Sequence, residues 1–578
     1  MLSAKINNQW IDMFPGTSIK YVFNSPAFSD SPIVGDFSYT ISFPLSDKNK
    51  NIFNYVNLPE IFEDVIEYDF ELYHDNSCII VGSFALKNAN EKISGNIINS
   101  AFSFINQIKT KTTKDLEMSD ITRHSGTANQ IIAASHLSGY PTYHFAHFPV
   151  LNENLYDGYE GGYGWHLHPY INYFNVDNDT FHKDVLFPYL CYVLDSIFDT
   201  FNINLINNLI SEDSELKKLC LISLFREPEN PVTYKLVDSI VKVSLEELLG
   251  GINKTFGTCF FFNKRLKKAE MVYLKDLLTD GDIDDWTDKV TSYPDKSPDE
   301  INTGFELSFD FDGGDETISA LQLPAGSLDD AIISDSVNKH TDLPDYGANM
   351  QYHSGEIRLV IADQLYYILV YYDEDLIYKW ISLTWKFFEN NNGDSEKKIS
   401  SPLSPIGMLD HAEKPDSEAI SQTHWLTPYI NQKLFQQSLP GALSRLKTYY
   451  YFNTEIIKTS VSEQKPRILF YRGKYQTEGS DYYPLGTSSH YNGQGGSIGS
   501  LSLTWEGSDG LYENFWKEWI IFLRKVKPLK FVIKLNRIDI LNLDLRKRKK
   551  IGSNYYLVKK ITIDLPIKKS ATVEMYRI

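Results

Sequence analysis

Short segments in which apolar and polar residues alternate constrain the fold of this chain more than any other feature of its sequence. The alternation is present at residues 39–43, within 67–84 and 308–389, and again at 531–535 and 561–565. Because successive side chains of a β-strand point to opposite faces of a sheet, a period of two predicts strands with one buried face. No internal repeat of fixed length accompanies them. The sequence therefore predicts a β-rich protein of the α+β class.

Fewer segments show the three-to-four-residue spacing of an amphipathic helix. Residues 184–201 and 511–524 carry apolar side chains at this spacing. A third helix is indicated at Ser244, where Glu247 completes a capping-box pattern ahead of an apolar face. Two apolar runs within residues 259–274 then flank a polar turn, which predicts a β-hairpin directly after this helix.

The second half of the chain returns to β character. Residues 357–361, 365–371 and 377–388 predict three consecutive strands. Residues 475–500 form a Gly/Ser/Tyr-rich loop in this interpretation, and the alternation at 501–505 predicts a further strand after it.

A chain of 578 residues is longer than a single hydrophobic core normally organises, so several domains are expected. The fold class is therefore multidomain α+β with a predominance of strands. The changes in pattern predict an N-terminal β-domain at 1–118, a Tyr/His/Gly-rich interface loop at 119–183, an α+β domain at 184–300, a β-rich domain at 301–470, and a C-terminal helix with basic strands at 471–578.

Charge is distributed unevenly along the chain. Residues 524–578 hold 16 Lys and Arg against 4 Asp and Glu, a balance of +12, whereas the whole chain carries −19, which leaves −31 on the preceding residues. Such an acidic chain is not expected to be a dedicated duplex-DNA binder, whose affinity would depend on Lys and Arg neutralising phosphates.

One concentrated basic run stands out in the C-terminal block. It is expected in an exposed turn between two strands, and it has two interpretations: a solvated hairpin tip, or a surface that docks onto an acidic neighbouring subunit. These candidate interface residues are Arg546, Lys547, Arg548, Lys549 and Lys550.

The four cysteines are far apart in the sequence, each within an apolar stretch, and are expected to be buried free thiols. Residues 1–15 lack the order of a signal peptide, and no apolar run approaches the roughly 18 residues of a membrane span. The protein is therefore expected to be made in the cytoplasm.

A group of histidines is the sharpest metal candidate. The spacing of His166 and His168 would place two imidazoles on one face of a strand, where they could chelate zinc. No cysteine or carboxylate completes a familiar zinc pattern and no H-E-x-x-H is present, so no metal or cofactor is expected. The group consists of His136, His144, His147, His166, His168 and His182.

The remaining candidate motifs lack the context that their chemistry needs. The acidic runs at 280–285 and 310–316 do not fit a twelve-residue calcium loop and are expected to be solvated. The glycine-rich run at 493–499 is followed by a predicted strand rather than a helix, which excludes the usual phosphate-binding loop. No nucleophile elbow, phosphate-loop lysine or kinase signature is present. The chain is therefore not expected to be an enzyme.

Several segments resemble baseplate hub proteins, which are tail structural proteins, of phages and prophages that infect Bacteroidetes-type bacteria. Residues 24–28 with 37–46 are similar to the opening of those proteins, where a strand ends in Phe-Pro-Leu. Residues 243–260 resemble their helix–hairpin unit, and residues 505–516 with the basic closing strands resemble their end.

The resemblance implies small β-barrel-like hub domains with peripheral α+β domains. It also implies a homo-oligomeric ring, expected to be a trimer, that joins the tail tube to the tail tip or spike and lets phage DNA pass without specific binding. The protein would then be located in the virion tail. Two other functions stay open: a glycan-binding or glycan-cleaving receptor protein that uses exposed aromatics and acidic loops, and a metal-dependent hydrolase built on the histidine group.

Overall fold

The three-dimensional structure is a computed structural model. It describes residues 2–29, 31, 36–58, 67–99, 104, 107–122, 128–152, 170–175, 180–182, 185–223, 233–263, 267–279, 281–296, 304–310, 357–362, 365–372, 376–381, 383–384, 386–389, 396–413, 420–430, 465–476, 482–490, 497–567 and 569–578.

A fourteen-stranded sheet, called the large sheet below, joins the two ends of the chain. Ile19–Asn24 pairs antiparallel with Asn554–Leu565, so the N-terminal and C-terminal segments share one ladder. Its main path runs in the order Gln9–Trp10, Leu2–Ile6, Glu67–His74, Ser77–Asn88, Lys92–Asn99, Phe37–Ser38, Ile19–Asn24, Asn554–Leu565, Ala571–Arg577, Pro528–Ile533 and Val290–Lys296, and Ile41–Pro44, Arg548–Ile551 and Ile283–Asp285 pair off this path.

The smaller sheets use the middle of the chain. An eight-stranded sheet contains Tyr170–Ile171, Val150–Asn152, Ile420–Ile430, Gly407–Glu413, Leu376–Ile381, Leu365–Tyr372, Ile357–Ala362 and Leu383–Thr384. The other sheets are formed by Asn204–Ile206, Lys268–Tyr273 and Thr258–Asn263; by Leu219–Ile222, Arg467–Gln476, Ser404–Pro405 and Tyr482–Thr487; by Lys386–Glu389, Gly304–Phe309 and Glu396–Ser401; and by the pairs Phe145–Ala146 with Phe187–Pro188, Tyr173–Asn175 with Thr180–His182, and Thr233–Lys235 with Asp120–Thr122.

Helices are short and few in the described part of the chain, and none of them is long and apolar enough to cross a membrane. The α-helices are Asp47–Ile52, Ala128–Ser135, Leu190–Thr200, Leu209–Glu212, Leu245–Phe256, Asp276–Thr279, Lys517–Lys525 and Arg537–Leu541. The 3-10 helices are Pro26–Phe28, Thr113–Asp115, Leu216–Lys218 and Thr287–Lys289, and Tyr512–Trp516 is a π-helical turn.

The helix predicted at 244–256 is confirmed. Leu245–Phe256 begins after Ser244, whose hydroxyl accepts a hydrogen bond from the Glu247 amide at 3.1 Å. The helix ends at Gly257, whose φ of +57° is left-handed, a conformation that glycine adopts without a steric penalty. The hairpin predicted next is also confirmed, as Thr258–Asn263 pairs antiparallel with Lys268–Tyr273.

The helix predicted at 184–201 is shorter in the structure, because Leu190–Thr200 begins six residues later than expected. The preceding Phe187–Pro188 is instead a strand paired with Phe145–Ala146. Proline disfavours helical backbone at the residue before it, which explains why the helix starts only after Pro188. The apolar periodicity did not reveal this boundary.

Other strand predictions met different outcomes. The strands predicted between 357 and 388 are present, with the third divided into Leu376–Ile381, Leu383–Thr384 and Lys386–Glu389. The strand predicted at 501–505 is wrong: this segment forms bends, although Leu503 and Trp505 are completely buried. Its backbone hydrogen bonds go to a neighbouring loop and turn and not to a paired strand. For example, the Leu503 amide donates to the Ser488 carbonyl.

The resemblance implied small closed barrels, but the described strand pairing shows none. The large sheet is an open path from Gln9–Trp10 to Val290–Lys296. Closing a barrel requires the first and last strands to pair. The part of this prediction that the structure confirms is the β-rich α+β class.

Two hydrophobic cores organise these elements. The first, called the central core, surrounds the helices Leu190–Thr200 and Leu245–Phe256. The second, called the end core, is built from side chains of the first hundred residues and of residues 531–575, together with Trp286. The chain ends are therefore stabilised against each other by burial of a common apolar surface. The division into five segments remains a prediction.

Candidate functional site

The basic run lies beside the first acidic run of the same chain. Arg548–Ile551 is a strand that pairs antiparallel with Asn554–Leu565 on one side. On its other side it pairs parallel with Ile283–Asp285. The five basic residues and this acidic strand, called the charged strand pair below, are 265 positions apart in the sequence.

The register of the charged strand pair sets opposite charges against each other. Asp284 lies across from Lys549 and Asp285 across from Lys550. The Lys549 Nζ lies 2.5 Å from Asp284 Oδ2, and the Lys550 Nζ lies 3.6 Å from Asp285 Oδ2. Since attraction between charges directly opposite on neighbouring strands stabilises pairing, these contacts favour this register over a shifted one.

Burial differs strongly among the lysines of this pair. The Lys549 side chain is 0% exposed and its Nζ lies 5.0 Å from the ring centre of Trp286. Burial lowers the pKa of Lys549, and the contact with Asp284 opposes that shift. Lys547 is more exposed and contacts Asp282 at 3.0 Å, and this hydrogen bond raises its pKa.

Arg546 connects the charged strand pair to the central core. Its guanidinium donates hydrogen bonds to the carboxylates of Asp544 and of Glu270, a residue of the hairpin strand Lys268–Tyr273. Hydrogen bonds with Asp544 raise the pKa of Arg546 further above its ordinary value. The arginine is therefore a fully charged bridge between the two cores.

A cleft of about 610 Å³ lies beside Arg546. Tyr21 and Ile80 line it from the end core, and Phe260 and Ala269 line it from the central core. Its volume is within the range of small-molecule sites, and junctions between structural units are a common place for them. Apolar and charged side chains both line the cleft, and the charged ones are Arg546, Lys268 and the carboxylates of Asp36, Glu270 and Asp544.

This arrangement corrects two expectations from the sequence. Residues 548–550 of the basic run are not at an exposed hairpin tip, because Arg548–Ile551 is a strand with partners on both sides, whereas Arg546 and Lys547 lie in the turn and bend before it. The acidic run is not simply a solvated loop, because Ile283–Asp285 is one of those partners. The sequence did contain a signal for this: Asp282, Asp284 and Asp285 share the spacing of Lys547, Lys549 and Lys550. Docking onto a neighbour by these basic residues stays a prediction.

The described members of the histidine group are not gathered into a metal site. His136 Nε2 and His147 Nδ1 are 3.4 Å apart in a buried pair, whereas His144 stacks on Tyr192 with ring centres 4.0 Å apart. His166 and His168 are outside the described residues, and His182 is described only by its strand. Within the described part of the chain, no group of three His, Cys, Asp or Glu side chains could hold a metal ion.

Acid is expected to destabilise the protein through His136. Burial, the neighbouring His147 and Lys474 lower the pKa of His136 from 6.5 to about 2. The unfolded chain then binds a proton below about pH 6.5 that the folded protein does not bind, so this contribution to stability is complete above that pH and is lost as the pH falls. Urea denaturation should give a free energy of unfolding about 2 kcal/mol lower at pH 5 than at pH 7 from this group alone.

The variant His136→Gln isolates this contribution, because its side chain does not titrate. The difference between its pH dependence and that of the parent protein should equal the effect of His136. His144→Gln is the comparison variant: burial also lowers the pKa of the half-buried His144, so this variant measures a second contribution of the same sign, and His136→Gln should remove the larger part. Equal pH dependence of parent and His136→Gln would contradict the assignment.

A serine, a histidine and an aspartate that sequence reasoning did not single out meet near the C-terminal helix. The Ser502 Oγ and the Asp509 Oδ2 lie 2.7 and 2.6 Å from the same atom, His490 Nδ1. A catalytic triad needs the carboxylate and the hydroxyl on opposite ring nitrogens. Burial alone would raise the pKa of Asp509, but hydrogen bonds with His490 and Ser502 lower it below its ordinary value. The trio therefore fastens a loop and does not activate a nucleophile.

The other sequence candidates fall largely outside the described residues. Of the acidic run 310–316, Asp310 is described, and its carboxylate lies 3.1 Å from Lys465 Nζ. At the end of the glycine-rich run, a Cβ on Gly499 would collide with Arg472 and Glu215, which form a buried ion pair. Glycine is thus needed here so that the backbone can approach that ion pair.

All four cysteines are free thiols, and Cys191, Cys220 and Cys259 are buried. Burial raises the pKa of each of these three thiols well above its ordinary value. A thiol that stays protonated is a poor nucleophile and a poor metal ligand. The expectation of buried thiols is confirmed for these three, whereas Cys78 is only partly buried.

The chain is only weakly similar to a solved structure and matches no family model. No protein-family model matches the chain, and no curated protein matches it in sequence. Among solved structures, the crystal structure of prophage MuSo2, 43 kDa tail protein from Shewanella oneidensis, is similar with a TM-score of 0.31 and 7% sequence identity over 100% of this chain and 97% of that chain. A likeness at this level is too weak to establish a shared fold.

Proposed function

We propose that this protein is a structural, non-catalytic subunit of a bacteriophage tail. In this proposal it is a baseplate-hub-type ring subunit, located in the virion, that joins the tail tube to the tail tip. The observation that carries the proposal is the number of exposed aromatic and large apolar side chains within residues 10–58, which suits a ring subunit that contacts its neighbours through them.

Six of the thirteen exposed large hydrophobic side chains among the described residues fall within residues 10–58. Trp10 is 46% exposed and Tyr39 is 53% exposed. Aromatic side chains are enriched in the centres of protein interfaces, where their large surface is removed from water. The six are Trp10, Phe14, Phe37, Tyr39, Tyr55 and Leu58.

The charge of the chain suits a ring through which DNA passes. The net charge is −19, and the largest basic run is held against the acidic strand Ile283–Asp285 of the same chain. An acidic lumen would repel phosphates and let the genome pass without binding. A homotrimer in contact with tube and tip or spike proteins is the assembly that the resemblance implies.

Light scattering on the purified protein tests this proposal, and we expect the mass of a closed oligomer, three chains in the proposed ring. Replacing Trp10, Phe14 and Tyr39 with serine should shift the mass toward one chain, because the exposed aromatics would no longer be buried between copies. Replacing Leu137 and Tyr482 with serine is the matched control, since both are exposed outside the N-terminal segment. A monomeric parent protein, or a triple variant with the parent's mass, would contradict the proposal.

A second candidate function, glycan binding, is favoured by one observation. The Trp10 and Tyr73 rings are neighbours with centres 4.9 Å apart, and the Tyr73 hydroxyl donates a hydrogen bond of 2.6 Å to Glu71. An exposed indole beside hydrogen-bonding groups can stack on a sugar ring. A saccharide-dependent rise in melting temperature that Trp10→Ala abolishes would support this function, whereas a tail subunit of the proposed kind should show none.

A further inference from the structure

Residues 282–296, called the arm below, leave the central core and return to it. Before the arm, Leu277 is part of the central core, and after it Phe305 is part of the same core. Between them, Trp286 belongs to the end core. The arm therefore reaches from one core to the other and back within about thirty residues.

The arm adds strands only at the margin of the large sheet. Val290–Lys296 is the last strand of the main path, and Ile283–Asp285 pairs only with Arg548–Ile551. Pro528–Ile533, the neighbour of the last strand, pairs with Ala571–Arg577 on its other edge, so the arm is not its only partner. An arm supplied by another molecule would thus complete the sheet equally well.

Contacts of the arm combine strand pairing, apolar packing and ion pairs. Of the arm side chains whose burial is described, Trp286 alone is buried, and Val290 packs partly buried against the end core. Both arm strands are paired, and the Trp286 amide donates a hydrogen bond of 2.8 Å to the Lys550 carbonyl. The charged contacts are the ion pairs of the charged strand pair and the contact of 2.5 Å between Lys289 Nζ and Asp539 Oδ1. Charged contacts fix register and steer association, so they would select the same strand on a second copy.

We propose that the arm is exchanged between neighbouring copies of this protein, each arm pairing with the basic strand Arg548–Ile551 and with Pro528–Ile533 of the next subunit. Exchange makes the same contacts between molecules that the structure shows within one, which is a low-cost route to an oligomer. The short connection between Thr279 and Ile283 favours it, because short hinges promote exchange. This inference rests on the proposed ring and specifies the contact between its neighbouring subunits.

The connection at the other end of the arm is longer. Seven residues separate Lys296 from Gly304, and an extended chain of that length spans about 25 Å. The head-to-tail contact that results uses two different surfaces of each subunit, the arm and the basic strand. Such heterologous contacts generate rings when the rotation closes.

A cysteine pair tests the exchange. Ser292 and Val532 are register partners on adjacent antiparallel strands, so Ser292→Cys with Val532→Cys should form a disulfide under mild oxidation. We expect covalent dimers and larger species on a non-reducing gel. The parent protein and the single variant Ser292→Cys show whether the four native cysteines of the chain form disulfides by themselves. A disulfide within a single chain would overturn the inference.

Light scattering of the same sample under reducing conditions separates the two proposals. An oligomer whose disulfides lie within single chains would overturn arm exchange and leave the ring intact. A monomer with such disulfides would overturn both.

Charge reversal gives an independent measurement that leaves the buried Lys549 contact unchanged. One variant carries Asp282→Lys and Asp285→Lys, and the other carries Lys547→Asp and Lys550→Asp. Each alone sets like charges against each other, but a mixed oligomer restores attraction only if arms are exchanged. We expect oligomers from co-expression and fewer from either variant alone. Co-expression that yields no more oligomer than the separate variants would contradict exchange.

Discussion

Replacing Leu248 with aspartate is expected to prevent the protein from folding. Leu248 is 0% exposed in the central core, on the buried face of the helix Leu245–Phe256. An ionised carboxylate there would have no partner cation, and burial of such a charge costs at least about 4 kcal/mol. This is a large fraction of the roughly 5–15 kcal/mol that stabilises a typical domain. Soluble yield and the near-ultraviolet circular dichroism spectrum measure the effect.

Two control variants test whether the loss of folding is due to the buried charge. Leu248→Met retains volume and apolarity and should cost less than about 1.5 kcal/mol. Glu246→Gln changes a half-buried position of the same helix and should change stability only slightly. If Leu248→Asp gave the parent's yield and melting temperature, the assignment of this helix face to the core would be wrong.

Replacing Lys549 with methionine is expected to lower the free energy of unfolding by up to about 3 kcal/mol, because it removes the buried partner of an ion pair whose carboxylate is 33% exposed. The Lys549 side chain is fully buried and also donates a hydrogen bond of 2.9 Å to the Asp544 carbonyl. Its loss leaves the Asp284 carboxylate without its closest cation. Chemical denaturation at pH 7 measures the difference.

Lys547→Met is the matched control for this prediction. Lys547 belongs to the same run, but its partner Asp282 is 80% exposed, so the pair should contribute less than about 1 kcal/mol. The double variant Lys549→Met with Asp284→Val should recover much of the loss, since apolar residues can replace a buried ion pair. Equal losses of stability in Lys547→Met and Lys549→Met would show that burial of the lysine does not decide how much its ion pair stabilises the protein.

The same contacts change what is expected when all five basic residues are replaced with serine. The sequence alone predicts an intact fold, because it places these residues at an exposed hairpin tip. With Lys549 buried against Asp284 and Arg546 bonded to Glu270, the structure predicts a destabilised protein instead. Assembly assays of the docking hypothesis should therefore use Lys547 and Lys550, whose side chains are 33% and 40% exposed.

Local features of the chain were predictable because they depend on neighbouring residues. The helix Leu245–Phe256 has its N-cap, its apolar face and its terminating glycine within fourteen consecutive residues. The hairpin that follows depends on two apolar runs and one turn. An apolar period does not define where a helix begins or ends. The period alone placed the start of the helix Leu190–Thr200 too early, because Pro188 disfavours helical backbone just before it.

The sequence by itself determined the β-rich α+β class, the positions of some of the strands and the uneven charge, since periodicity and composition are properties of the chain. Only the tertiary structure decided which strands pair. Ile19–Asn24 joins Asn554–Leu565, and Ile283–Asp285 joins Arg548–Ile551. A strand with a buried face can pair with any strand of matching pattern, and the choice is made by the shared core and by opposite charges in register. Those partners are distant in sequence and meet only in the folded protein.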